Sequence, residues 1–244
     1  MKDSLSTFQR KPIRLLSTHK SGGVAGLVTL ASILLVEILI PSAIAGNRVS
    51  GISDISSIFA WYNHPSLVWT YWPNGFVIFF FVFIYAIYPT LRDQARASGV
   101  AVLLLAAVGI GVIAVPLLLT RTSLAWVLVG LSAQYAATTD AVTRTTLEVT
   151  GLTIFKLWDV LYNSLLYWVE GGYTLLFGIV FLRTNVFKHW IGWLSIAVAV
   201  YQFVNTLAIP AGFPDTLTLP GNLLFVTWFL SVSVSLLRLK TNLA

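Results

Sequence analysis

Two glutamates stand inside runs of sequence that are otherwise apolar enough to cross a membrane: Glu37 in "LLVEILIPSAIA" (34–45) and Glu170 in "YWVEGGYTLLF" (167–177). At membrane depth an ionisable group costs at least ~2.5–3.5 kcal/mol on insertion scales, so such groups turn toward a bundle interior and mark sites. Burial favours the neutral form of a carboxylic acid. The chemistry in view is therefore proton handling, with Glu37 and Glu170 as the two candidate acids. Around Glu170, the polar residues Asn163, Tyr167, Glu170 and Thr174 recur at spacings of 4, 3 and 4, which is one face of a helix. Ser195, Gln202, Asn205 and Thr206 do nearly the same in a second run, and Thr227, Ser231 and Ser235 in a third. Lipid offers these groups no partner, so the faces are expected to meet one another. Asn163, Tyr167, Gly171, Gly172, Thr174, Gln202, Asn205 and Thr227 are the expected ligand-binding lining of that polar pocket. Gly171 and Gly172 weaken a helix by ~1 kcal/mol each relative to alanine. They fit either a backbone that a ligand approaches closely or a tight helix contact, as Ala107 and Gly111 do in another run.

The elements that must hold these residues are membrane helices. The chain is 57% hydrophobic and 10% charged, with a mean hydropathy of +0.84. That is more apolar surface than one soluble core of this size hides. A crossing helix needs about 20 apolar residues, and six runs qualify: 24–45, 73–90, 99–119, 160–182, 190–210 and 221–238. A seventh, 124–138, is short and turns polar at Asp140. The expected fold is all-α: a polytopic transmembrane helical bundle of six spans, seven being possible.

Charge placement favours six. Lys and Arg collect on the cytoplasmic side, and with both chain ends inside, the 15 basic residues divide 11 to 4 between inside and outside. Seven crossings give 9 to 6. Residues 1–21 then form a basic cytoplasmic segment, and 121–157 the large outer connection, carrying an extra amphipathic or re-entrant helix. Within that connection Asp140, Arg144 and Glu148 fall at i,i+4 spacing and read as a wetted stripe. The other outer segment, 47–70, leads to Trp69, Tyr71 and Trp72, rings suited to the interface. Basic residues, an apolar run and Ala43-Ile44-Ala45 imitate an export signal. The run is longer than such signals and carries an acid, so a retained first helix is expected. No repeat or linker divides the chain, and 1–244 is expected to form a single integral-membrane domain.

Much chemistry is set aside by residue content. The chain has no cysteine, and His19, His64 and His189 are scattered without a second ligand nearby, so no metal or cofactor is expected. Phosphate-loop, dinucleotide and nucleophile-elbow signatures do not occur. The net charge of +6 is explained by cytoplasmic loops rather than by nucleic acid.

Gly22-Gly23-Val24-Ala25-Gly26-Leu27, running into the first span, and "EGGYTLLFGIVFLRTNVFKHWIGWLSIAVAVYQF" (170–203) together resemble a bacterial multi-pass membrane family described only as a domain of unknown function. The resemblance covers about a quarter of the chain. A proline usual near Lys188 or His189 in that family does not occur here. The resemblance implies a helical bundle in the bacterial cytoplasmic (inner) membrane and supplies no catalytic residue. Three functional classes stay open. One is a protein that binds or transports a small or lipid-like ligand, alone or as a homo-oligomer. The second is a membrane-embedded enzyme acting on a lipid or isoprenoid with a buried Glu as general acid. The third is a structural or accessory protein whose polar stripes only hold helices together.

Overall fold

The computed structural model describes residues 18–34, 55–63, 77–208 and 218–239, and every regular element among them is a helix. In chain order these are α1 (Thr18–Ile33), α2 (Ile55–Tyr62), α3 (Val77–Ala97), α4 (Ala101–Ala137), α5 (Ala141–Val160), a π turn (Leu161–Leu166), α6 (Tyr167–Thr184), α7 (His189–Ala208) and α8 (Thr218–Arg238). Four stretches are long and apolar enough to cross a membrane: Val77–Ala97, Ala101–Ala137, the continuous Ala141–Thr184 and His189–Leu207. Leu223–Arg238 is a shorter apolar helix. Glu37 and the rest of the first run beyond residue 34 lie outside the described residues.

Local chemistry ends the helices where the fold must turn. Gly99 adopts φ +71°, and the amides of Ser98 and Val100 close back on the carbonyls of Gln94 and Ala95 at 2.9 and 2.8 Å. This satisfies the last carbonyls of α3 and lets α4 start two residues later. Asn185, at φ 52°, is the left-handed residue that ends α6. Asp140 caps α5, accepting from the Thr143 amide at 2.8 Å and from the Thr143 hydroxyl.

Six helices close into a ring. α1 packs on α3, α3 on α4, α4 on α6, α6 on α7, α7 on α8, and α8 back on α1. The centre is aromatic: Phe83, Tyr173, Phe177, Phe181, Trp228 and Phe229 are all fully buried. Phe83 stacks on Phe229 at 4.4 Å and meets Trp228 edge-on at 6.1 Å. Because acyl chains are as apolar as these rings, close packing rather than escape from water holds such a layer. Small residues make the approach possible. A side chain at Gly22 would run into Ala86 of α3, and one at Gly23 into Leu237 and the Ser233 carbonyl of α8. One at Gly26 would run into Ser233 and the Phe83 ring. The glycines at the head of the first run are thus contact points between helices.

A second, smaller apolar cluster lies on the extensions of two helices. Ile58, Phe59 and Tyr62 of α2 pack with Ala125 and Leu128 of α4 and Leu147 of α5, and Phe59 fits against Gly151. At 1.5 Å per residue, the 37 residues of α4 extend about 55 Å, well past a hydrocarbon core of about 30 Å. This corrects one expectation. Residues 124–138 are not a separate dipping helix but the continuation of α4. Thr120, Thr122 and Ser123 lower the hydropathy between the two halves without breaking the helix, because each hydroxyl donates to the carbonyl four residues back, at 2.8–2.9 Å. Residues 121–157 are therefore the end of α4 and most of α5, and α2 packs against both helices.

The expected charged stripe serves the turn between them. Arg144 donates to the Thr138 carbonyl at 2.9 Å and lies over the Tyr135 ring at 5.2 Å. The Tyr135 hydroxyl donates to Glu148 at 2.8 Å.

Candidate functional site

Glu170 sits in the first turn of α6, one turn beyond the π turn that joins α6 to α5. A π turn inserts an extra residue per turn and is a frequent companion of functional positions. Across from Glu170, α7 runs antiparallel. Gly178 faces Ser195 and Ile196, while Gly171 faces Phe203, which brings Gln202 to the level of the acid. Gln202 is buried, and its Nε2 donates to Glu170 Oε2 at 3.0 Å. The acid itself is half-buried. One carboxyl is thus tied to one carboxamide between two helices of the ring, at a position that is not sealed.

The rest of the expected lining divides. Tyr167, Thr174 and Asn205 are buried, as are Ser195 and Thr206, so the stripes of α6 and α7 do turn inward. The Thr174 hydroxyl donates back to the carbonyls of Glu170 at 2.6 Å and Gly171 at 3.2 Å. Thr206 donates back to Gln202 at 2.9 Å. The Asn163 side chain lies outside the described residues. Gly171 and Gly172 contact different helices. A β-carbon at Gly171 would stand 2.7 Å from the Phe203 ring, whereas one at Gly172 would meet Ile110 of α4 at an ordinary 3.5 Å. Gly171 serves the α6–α7 contact, and Gly172 has room to spare.

The third stripe does not join the site. Thr227 is exposed, and its hydroxyl donates to the Leu223 carbonyl at 2.7 Å. Ser231 and Ser235 repeat the pattern, donating to Thr227 and Ser231 at 2.6 and 2.7 Å. The expectation that these hydroxyls must seek a partner across the bundle fails because each finds one in its own helix.

Two aromatic residues complete the layer below the acid. Trp228 Nε1 donates to Ser195 Oγ at 2.6 Å, a bond from α8 to α7 with both side chains buried. Tyr173 is buried among Phe80, Phe177 and Trp228, with ring centroids 6.1 Å away in each case, and its hydroxyl has no hydrogen-bond partner. The sequence held a signal for Tyr173, since it follows Glu170 by three residues and so shares its face. Aromatic residues read as interfacial bulk conceal such a position.

Among the described residues no group of His, Asp or Glu side chains is arranged to hold a metal ion. The chain matches no protein-family model, no curated protein and no solved structure.

Proposed function

We propose that this chain is a six-span protein of the bacterial cytoplasmic membrane that binds a small or lipid-like ligand at Glu170, with both chain ends in the cytoplasm. The observation that carries the ligand reading is the Glu170–Gln202 bond at 3.0 Å, made by an acid that stays half-buried. Helix cohesion is served by bonds such as Trp228–Ser195, where both partners are sealed. A carboxyl held in orientation by a carboxamide, yet reachable from the bundle surface, suits recognition of a polar group on a molecule that arrives through lipid. The ring of six helices and the 11 to 4 division of basic residues support the six-span topology. The glycines at 22, 23 and 26, which carry part of the resemblance to the bacterial membrane family, are helix contacts, in keeping with shared architecture.

An architectural role is the competing reading, favoured by the tight Gly171–Phe203 contact. Mass spectrometry of lipids retained by the protein purified in mild detergent separates the two. The ligand reading expects a lipid species enriched over bulk membrane in the wild type and lost in Glu170→Leu, with helicity and monodispersity intact. Glu170→Gln, which keeps the shape and the hydrogen bond, is the folded control and loses only what depends on the proton. Identical lipid content in wild type and a folded Glu170→Leu protein favours architecture alone.

A further inference from the structure

Tyr173 carries a polar group that the fold itself does not use. A buried tyrosine hydroxyl ordinarily finds a partner, and this one has none although the side chain is fully buried. The rings around it cannot supply one. Phe80 and Phe177 have no polar atom, and the single donor of Trp228 is committed to Ser195. The neighbouring Thr174 hydroxyl is committed to its own helix. Phenylalanine fills the same kind of space at 80, 83, 177 and 229 without leaving an orphan. Direction matters as well. Long side chains in a helix lean toward its N-terminus, which brings the hydroxyl back toward the turn that holds Glu170, three residues earlier.

We propose that the Tyr173 hydroxyl is a second ligand contact, donating its proton to the oxygen of an otherwise apolar, uncharged molecule such as a fatty ester. This rests on the reading of Glu170 as a ligand contact and names the chemistry of what binds there. The ligand must offer an acceptor oxygen, because the hydroxyl lacks one. It must be apolar elsewhere, because the surroundings are aromatic rings. It is uncharged in this layer, because a charge buried among aromatic rings costs several kcal/mol and the acid three residues earlier, Glu170, would repel an anion. A buried water would satisfy the same hydroxyl, and the experiment is arranged to tell the two apart.

The test is thermal unfolding of the full-length detergent-solubilised protein with methyl oleate, and with 9-octadecene as an oxygen-free control. The wild-type midpoint is expected to rise with methyl oleate and not with octadecene. Tyr173→Phe is expected to unfold, without additive, at the wild-type temperature or above it, since removing an orphan hydroxyl leaves nothing unsatisfied. Its affinity for methyl oleate is expected to fall about ten-fold, the scale of one hydrogen bond. A lowered midpoint of Tyr173→Phe without additive overturns the proposal in favour of a buried water. An undiminished methyl oleate shift in Tyr173→Phe overturns it too, and if Glu170→Leu abolishes that shift, the Glu170 reading survives alone. A wild-type midpoint that methyl oleate does not move overturns the assignment of an ester oxygen.

Discussion

Breaking the Glu170–Gln202 bond has a consequence whose size can be worked out. The bond is well formed, at 3.0 Å, and Gln202 is only 4% exposed, so its carboxamide has no water to turn to. In soluble proteins a hydrogen bond of this kind nets ~0.5–1.5 kcal/mol. Inside membranes such pairs average ~0.6 kcal/mol and reach ~1.7, because the unfolded chain in lipid also finds partners. The half-buried acid can recover part of its loss, while the buried carboxamide cannot. A coupling of about 1 kcal/mol follows, about five-fold in the unfolding equilibrium. The assay is a double-mutant cycle of Glu170→Ala, Gln202→Ala and the pair, unfolded by dodecyl sulfate in mixed micelles. Glu170→Gln keeps an acceptor oxygen and should retain most of the coupling. A coupling energy within the ~0.3–0.5 kcal/mol scatter of independent sites would mean that α6 and α7 do not meet at this level.

Three further outcomes follow from the packing and from the turn between α4 and α5. Gly172→Ala should raise the unfolding free energy by up to ~1 kcal/mol through helix propensity, while Gly171→Ala should lower it by ~1–3 kcal/mol because the Phe203 ring stands 2.7 Å from the new carbon; equal effects at the two sites would contradict the assigned contacts. Ser195→Ala strands the indole N–H of Trp228 in a dry interior and should cost ~1–3 kcal/mol in the same unfolding assay, so a neutral result would show that the bond is not made. At the turn between α4 and α5, donation from the Thr143 hydroxyl and amide holds the Asp140 carboxyl below its ordinary value of 3.8. A depressed folded value means the cap stabilises fully above the unfolded value and fades as the pH falls through the folded one. Hydrogen-exchange protection of the first turn of α5 should therefore drop on acidification below pH ~4, and Asp140→Asn should flatten that dependence.

The all-helical bundle was legible because long apolar helices leave a coarse mark on a sequence. Long apolar runs gave the helices, and Arg92, Arg96, Arg183 and Lys188 flank the two short turns at Gly99 and Asn185. What hydropathy could not show is whether a polar interruption breaks a helix. The gap between the runs 99–119 and 124–138 suggested a boundary, and the back-bonded hydroxyls of Thr120, Thr122 and Ser123 within it made none. The same device misled the reading of Thr227, whose period on α8 was correct and whose direction was not. For Glu170 and Gln202 the period sufficed, because a carboxyl and a carboxamide are too polar to be satisfied within one turn of helix and must reach a neighbour. Tyr173 escaped notice because its ring is apolar bulk and only its surroundings reveal that the hydroxyl is left over.

What touches the Glu170 carboxyl decides between a ligand site and a helix contact. An electron cryomicroscopy map of the protein in lipid nanodiscs, at a resolution that shows side chains, tests this directly. A ligand site gives an elongated non-protein density ending at Glu170, with Gln202 holding the carboxyl from the other side. A carboxyl enclosed by protein atoms alone, with acyl chains passing it in no fixed position, would contradict it.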